Sequence, residues 1–380
     1  MNNRRGFLGA GLAAAARMAR GDEGVPTIAY VGCYTTAQRH ARGDGIHIYK
    51  VDVKAGAWTH VRRVGDLVNP SFLVLGRDRR LLYSVHGDER YASAFSIYRP
   101  TGDLTLLGTA DTGGANGVHF AQSPDCRFMV VANYGSGSVA VLPVRPDGRL
   151  VNQIQLVELE GQPGPHRLEQ SSSHPHQVVF DPSGQFVLVP DKGLDRVFVF
   201  QFDPSTGRLT PGAQGSVAVR SGSGPRHLAF HPRLPVVWVL NELSSTVSTY
   251  GWDAGKGALK ALQTVPSLPA DFTGESTAAE IVVSNDGKFI YCSNRGHDSI
   301  ALFQTDARKG TLTPVEWTPS GGKSPRFITF DPGRRFLHAA NEQDDNIVTF
   351  RVDGTSGRLT PSGQPVTNAS PVTVAFLKGE

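Results

Sequence analysis

Short apolar runs recur along the chain, each closed by a turn rich in Gly, Pro, Asp or Ser. They have the length of strands rather than helices, and several alternate apolar with polar positions, the mark of a half-buried strand. Seven share one frame: NPSFLVL, NGVHFAQSP, HPHQVVFDP, GPRHLAFHP, TAAEIVVSN, SPRFITFDP and SPVTVAF. Their anchors are Pro70, Gly117, Pro175, Pro225, Ala278, Pro325 and Pro371, spaced 46 to 58 residues apart. A second punctuation keeps the same beat, with Gly56, Gly102, Gly148, Gly207, Gly257, Gly310 and Gly357 each standing just before a short apolar run. Glycine there suits a tight hairpin turn that needs positive φ.

One repeat shows the order of elements. HQVVF reads as a first strand, DPSGQ as a turn, FVLVPD as a second strand and RVFVFQFD as a third; PSTGR turns again and LTPGAQGSVAV supplies a fourth. Four short antiparallel strands per unit make the blade of a β-propeller, and blades bury their faces only by stacking. The last copy has a first strand, VTVAF, and then the chain ends. Ahead of the first anchor lie TIAYVGCY, GIHIYKVD and WTHVRRV, which serve as second, third and fourth strands. The predicted fold class is therefore all-β: a seven-bladed β-propeller of four-stranded antiparallel blades over residues 26–380, its ring closed by N-terminal strands completing the C-terminal blade. Closure leaves no open sheet edge. Two insertions, 161–173 and 264–277, fall between a fourth strand and the next first strand.

This topology says where side chains converge. First strands line the central channel, so their starts and the ends of second strands meet on one face near the axis. Sixteen residues after the anchors stand His86, Asn133, Asp191, Asn241, Asn294 and Asn341. A residue type shared by most blades suits a shared task, capping turns through nearby backbone; a ring of such oxygens holding a hard cation is the rival reading. Other positions differ between blades: His176, Arg226, His227, Glu280 and Arg326 follow anchors by one or two residues, and Tyr134, Glu242 and Arg295 follow by seventeen. The repeat itself does not require mixed charges in one concave place, so they mark a site, with a salt-bridged plug of the channel as the competing explanation.

Composition narrows the partners. The 43 glycines and 25 prolines favour turns and short strands. A formal charge of +4 without a Lys/Arg run beyond the N-terminus makes no case for nucleic acid. Cys33, Cys126 and Cys292 lie in strand-like runs without CxxC spacing and read as buried free thiols. Residues 1–25 carry Arg4-Arg5 ahead of Gly6-Phe7-Leu8 and an Ala-rich run too short to span a bilayer. This is expected to be a twin-arginine export signal, leading to a periplasmic or secreted protein, with a disordered leader and a cytoplasmic location as the alternative.

At these residues the sequence resembles the lactonase family of seven-bladed propellers, which includes propeller-type 6-phosphogluconolactonases and carboxy-muconate cyclases. The resemblance rests on GPRHLAFHP, LNELSSTVSTY, TAAEIVVSNDGKFIYCSNRGHDSIALF and SPRFITFDPGRRFLHAANEQDDNI and extends over the chain after the leader. It implies a catalytic cluster of His176, Arg226, Glu242 and Arg295. It also implies hydrolysis of a small sugar-acid lactone, phosphorylated or not, by activated water, with no cofactor and no metal. Glu242 or His176 would be the base, and the arginines would face an oxyanion or a substrate carboxylate or phosphate. His227, Glu280, Arg326 and Tyr134 would contact substrate. An export signal favours an unphosphorylated lactone, because phosphorylated sugar lactones belong to the cytoplasm. No Gly-x-Ser-x-Gly or H-E-x-x-H is present. The expected partner is the small-molecule lactone alone, met by a monomer. A muconate-type lactonising isomerase and a non-catalytic binding propeller are the alternative functions.

Overall fold

Hairpins build every unit of the structure. Pro225–Phe230 pairs antiparallel with Val236–Asn241, which pairs with Thr246–Asp253, which pairs with Ala258–Pro266. The same order recurs in seven sheets. The computed structural model describes residues 25–379, so the expected leader, 1–25, lies outside the described residues but for Val25. The inner strands are Pro70–Leu75 in blade 1, Gly117–Gln122 in blade 2, Val179–Phe180 in blade 3, Pro225–Phe230 in blade 4, Thr277–Val283 in blade 5, Pro325–Phe330 in blade 6 and Pro371–Leu377 in blade 7. Pro371–Leu377 pairs with Thr27–Cys33, so the two ends of the chain share blade 7 and close the ring as expected. The short 3-10 segment Ala37–Arg39 is the one helical element among the described residues.

Two details depart from the sequence expectation. The first strand of blade 3, expected over HQVVF, is reduced to Val179–Phe180. Upstream of it the chain arrives from the 161–173 insertion, and His174 and His176 are held instead by Asp191 Oδ1 and the Pro190 carbonyl, at 2.8 and 3.0 Å. Cys126 lies in a turn at φ 64° and is half-buried, whereas Cys33 and Cys292 are buried in strands. All three are free thiols; burial pushes the Cys33 thiol up to about 12 and Cys292 well above its ordinary value, which leaves both inert.

The glycine beat has a physical cause in blade stacking. Each of the seven turns presses against the start of the second strand in the preceding blade, on its first residue in six cases and its second, Ile28, in blade 7. Gly56 meets Phe336, Gly102 meets Ile28, Gly310 meets Val236 and Gly357 meets Phe289. In four blades an aromatic two residues further on also donates a hydrogen bond to the same glycine's carbonyl: Tyr30 to Gly102 at 2.9 Å, Tyr83 to Gly148 at 3.1 Å, Trp238 to Gly310 at 2.8 Å and Tyr291 to Gly357 at 2.6 Å. Glycine is thus required both for its backbone angle and for the absence of a side chain. Apolar clusters such as Val236, Trp238, Ile281, Ile290 and Phe303 fill the same inter-blade seams. A Cβ on Gly357, where φ is 73°, would stand 2.7 Å from the buried Phe289 ring, while Gly354 in the same turn faces open space. Gly357→Ala is expected to cost about 2–4 kcal/mol in strain and overpacking. Thermal unfolding checks this: Tm should fall by several degrees for Gly357→Ala and stay near wild type for Gly354→Ala.

Candidate active site

In each of the first six blades the anchor pairs with the residue sixteen positions on: Pro70 with His86, Gly117 with Asn133, Pro175 with Asp191 as an isolated bridge, Pro225 with Asn241, Ala278 with Asn294 and Pro325 with Asn341. Most of these polar partners bond nearby backbone, as capping requires, while Asn241 bonds the Thr246 and Ser248 hydroxyls. Asp191 accepts from the backbone N–H groups of His174, Gly193 and Leu194, and Asn133, Asn294 and Asn341 donate to the carbonyls of Thr112, Ser267 and Ser320. Among the described residues no group of three or more His, Cys, Asp or Glu is arranged to hold a metal.

Directly after the anchor the register slips by one residue, a β-bulge. In a regular strand two successive side chains point to opposite faces. Here the bulge sends both into the channel, so that Arg226 with His227, Ser71 with Phe72, and Arg326 with Phe327 line the same cavity. The paired charges at the start of GPRHLAFHP therefore follow from backbone geometry.

One turn above lies an open cavity of about 280 Å³ on the face that carries both insertions. Its wall includes four residues seventeen after their anchors, Tyr134, Lys192, Glu242 and Arg295, and blade 7 contributes the equivalent Tyr34, because Cys33 pairs with Pro371. Glu242, 7% exposed, is the hub. Its Oε1 lies 3.2 Å from both Lys192 Nζ and Arg295 Nη2. Its Oε2 lies 3.0 Å from Arg226 Nε, an ionic contact without hydrogen-bond direction. Arg226 also donates through Nη1 to the Ala279 carbonyl. Lys192 is shared, its Nζ donating at 2.5 Å to Glu169, which the 161–173 insertion brings in from above. Arg326 stands over the Tyr34 ring, 3.7 Å from Glu342.

Burial and charge act in opposite senses on these groups. Burial alone would raise the Glu242 carboxyl, but Arg295, Lys192, Arg226 and Arg326 together hold it well below the usual carboxylate range. Burial lowers the Arg226 guanidinium, Glu242 opposing and Arg295 and Arg326 reinforcing, to about 10, so it stays cationic at neutral pH. His176 is held well below its ordinary value by burial and then by Arg226, His227 and Arg326, and is neutral. It lines the upper cavity and the channel beneath, and its buried Nδ1 has no hydrogen-bond partner. Tyr134 packs edge-on to His176 at 5.5 Å between ring centroids and has its phenol raised by burial.

The structure thus brings His176, Glu242, Arg295, Arg326 and Tyr134 together in the wall of the upper cavity, with Arg226 lining the channel beneath and joined to them through Glu242. His227 and Glu280 lie deeper, outside the lining of the upper cavity. Glu280 contacts His227 Nδ1 at 2.7 Å rather than an arginine. Six wall residues were not among the expected site: Lys192, Tyr34, Glu169, Arg39, Asn116 and Val118. Lys192 shares the seventeen-residue offset, and Tyr34 shares it once the chain is wrapped round the ring. Glu169 sits in an insertion and Arg39 in the N-terminal 3-10 segment, where no repeat frame reaches. A larger cavity of about 460 Å³ lies on the opposite face between blades 1 and 2, with Arg77, Arg127 and Arg145 on its wall. It joins no imidazole to a carboxylate–guanidinium cluster, so chemistry rather than size singles out the upper cavity.

A closed seven-bladed ring with a buried His–Arg–Glu–Arg cluster under a polar mouth defines a class of enzyme-like propellers. The model of the seven-bladed β-propeller lactonases matches residues 28–376, and the chain belongs to that family. It is 34% identical over 307 residues to the 6-phosphogluconolactonase of Bacillus subtilis, covering 80% of this chain and 85% of that one. It is 32% identical over 319 residues to that of Formosa agariphila, covering 80% and 86%. The structure of the periplasmic gluconolactonase of Pseudomonas aeruginosa superposes with a TM-score of 0.86 at 33% identity, covering 93% of this chain and 99% of that one.

Because Glu242 balances three buried cations, Glu242→Gln is expected to destabilise the fold at neutral pH by about 3 kcal/mol. The folded carboxyl is depressed, so the wild-type contribution is complete above the unfolded carboxylate value and is lost as pH falls below it. Urea unfolding at pH 7 and at pH 3 checks this: the gap between wild type and variant should narrow on acidification.

Proposed function

We propose that the protein hydrolyses a small sugar-acid lactone to the open acid by attack of an activated water. One observation carries this reading: a neutral, buried imidazole, His176, borders the cavity beside fixed guanidinium groups. Water attacks the lactone carbonyl carbon while His176 takes its proton. Negative charge develops on the carbonyl oxygen opposite Arg226 and Arg295, which are already oriented by Glu242. The acyl–ring oxygen bond then breaks, and the ring oxygen takes the proton back from His176. Glu242 is a poor base in this scheme, since a carboxylate stabilised by four cations has little affinity for a proton. Its role is to hold the cations in place.

The substrate we infer is an aldonolactone without phosphate. The Arg4-Arg5 pair and apolar run of residues 1–25, read as a twin-arginine leader, and the similarity to the periplasmic gluconolactonase of Pseudomonas aeruginosa both support a periplasmic or secreted setting. The second reading, a phosphorylated lactone, is favoured by the cavity wall, where Arg39, Lys192, Arg295 and Arg326 outnumber Glu169 and Glu242.

A panel of phosphorylated and unphosphorylated aldonolactones and a carboxymuconate, assayed as acid release above the spontaneous rate, tests the proposal. Turnover of an aldonolactone is expected, and His176→Asn should lower kcat/KM about 10²–10⁴-fold. No rate above the spontaneous one on any lactone would sink the lactonase reading, and turnover of the muconate alone would favour the isomerase. Since the active form of His176 is neutral and its proton affinity is depressed, kcat/KM should not fall between pH 7 and pH 5.5. A loss centred near the ordinary histidine value of about 6.5 would assign the base elsewhere.

A further inference from the structure

Beneath His176 the channel narrows to a cavity of about 20 Å³. That is room for one water, since about 10–15 Å³ suffices on this measure. A water needs two or more polar partners, and three sealed atoms without a hydrogen-bond partner belong to its lining residues: His176 Nδ1, Ser71 Oγ and Arg226 Nε, the last in ionic contact with Glu242. His227 and Glu280 complete the same lining. The His176 and His227 rings face one another with centroids 5.2 Å apart, and His176 Nδ1 has no direct partner, which leaves it open to a bridge. Glu280 Oε1 accepts the Ile281 N–H at 3.0 Å, which makes it an acceptor toward His227 Nδ1 at 2.7 Å. His227 then carries its proton on Nδ1 and offers Nε2 as a lone pair.

We propose that His227 and Glu280 form, through one water bound in the channel, a proton relay behind His176. The inference rests on the hydrolytic reading of the upper cavity. As the attacking water bonds to the carbonyl carbon, its proton passes to His176 Nε2 and the His176 Nδ1 proton passes to the channel water. That water gives one of its own protons to His227 Nε2, and the His227 Nδ1 proton moves to Glu280. When the acyl–ring oxygen bond breaks, the same chain runs in reverse and protonates the ring oxygen. The open acid then ionises to solvent. His227 and Glu280 touch neither substrate nor attacking water and act as positioning residues.

The relay has a pH signature. Burial raises the Glu280 carboxyl to about 8, Arg226, the Ile281 N–H and Arg326 opposing. Burial, Arg226, Arg326 and Arg295 hold His227 well below its ordinary value, with Glu242 opposing; His119 and His176 pack against its ring. The pair is therefore neutral below about pH 8 and a carboxylate–imidazole above it, and only the second form accepts a proton at its far end. Cys292, behind Glu280, stays protonated throughout this range.

The test is the pH dependence of kcat and KM, corrected for spontaneous hydrolysis, for wild type and Glu280→Gln. Wild-type kcat should step up about tenfold or more through pH 8 from a lower plateau, with KM unchanged, and Glu280→Gln should remain on the lower plateau. An identical step in Glu280→Gln, or its absence from wild type, would overturn the relay while leaving lactone hydrolysis intact. An activity-free readout covers a variant that does not fold or a wild type without lactonase activity. In ¹⁵N-histidine spectra of the wild-type protein, His227 should be the Nδ1–H tautomer and should shift with a midpoint near pH 8. A different tautomer, or no shift, rejects the relay.

Discussion

Each inner strand that bears a charged channel residue in blades 4 and 6 begins with the same backbone event: the anchor pairs across the hairpin and the register then slips by one. The slip converts a strand, which would present one residue in two to the channel, into a start that presents two in succession. Arg226 and His227 reach the axis together for this reason, as do Arg326 and Phe327. The slip is held from outside by the capping residue opposite each anchor. In blade 4 that is Asn241, whose Nδ2 bonds Thr246 and Ser248. A ring of unremarkable Asn and Asp side chains thus supports the varied residues within, and the glycine turns lock neighbouring blades so that the seven starts stay in one plane of the ring.

On this frame the charged cluster is a problem of compensation. Lys192, Arg226 and Glu242 are each under 8% exposed, and none would be stable there alone. Glu242 resolves the conflict by contacting three cations, which in turn deprive it of basicity. The outcome is a division of labour: charge that stays fixed during turnover surrounds an imidazole that stays neutral. Fixed charge aimed at a developing oxyanion needs no reorganisation at the moment of reaction. The neutral groups, His176, His227 and Glu280, gather in the enclosed part of the channel, where burial favours their uncharged forms.

The fold was legible because its evidence is repeated: seven anchors, seven turn glycines and a last repeat of one strand led to closure of the ring. The core of the site was legible because His176, Arg226, Glu242 and Arg295 break a frame that the other copies define. Legibility ended where the frame does. Tyr34 occupies a repeat position, but ring closure carries it to the far end of the chain from its blade. Glu169 and Arg39 come from segments that no other blade repeats. The depth of His227 and Glu280 was invisible as well, because a bulge leaves no mark in composition, and whether residues two positions past an anchor reach the mouth or the channel depends on where the register slips.

The central claim is that substrate chemistry takes place in the upper cavity against the Glu242-centred cluster. A crystal structure of the wild-type protein with an aldonate, the open-acid product, measures this directly. The expected result is an aldonate carboxylate within hydrogen-bonding distance of Arg226 or Arg295 with His176 beside it. An aldonate bound only in the larger cavity between blades 1 and 2, against Arg77, Arg127 and Arg145, would contradict the assignment.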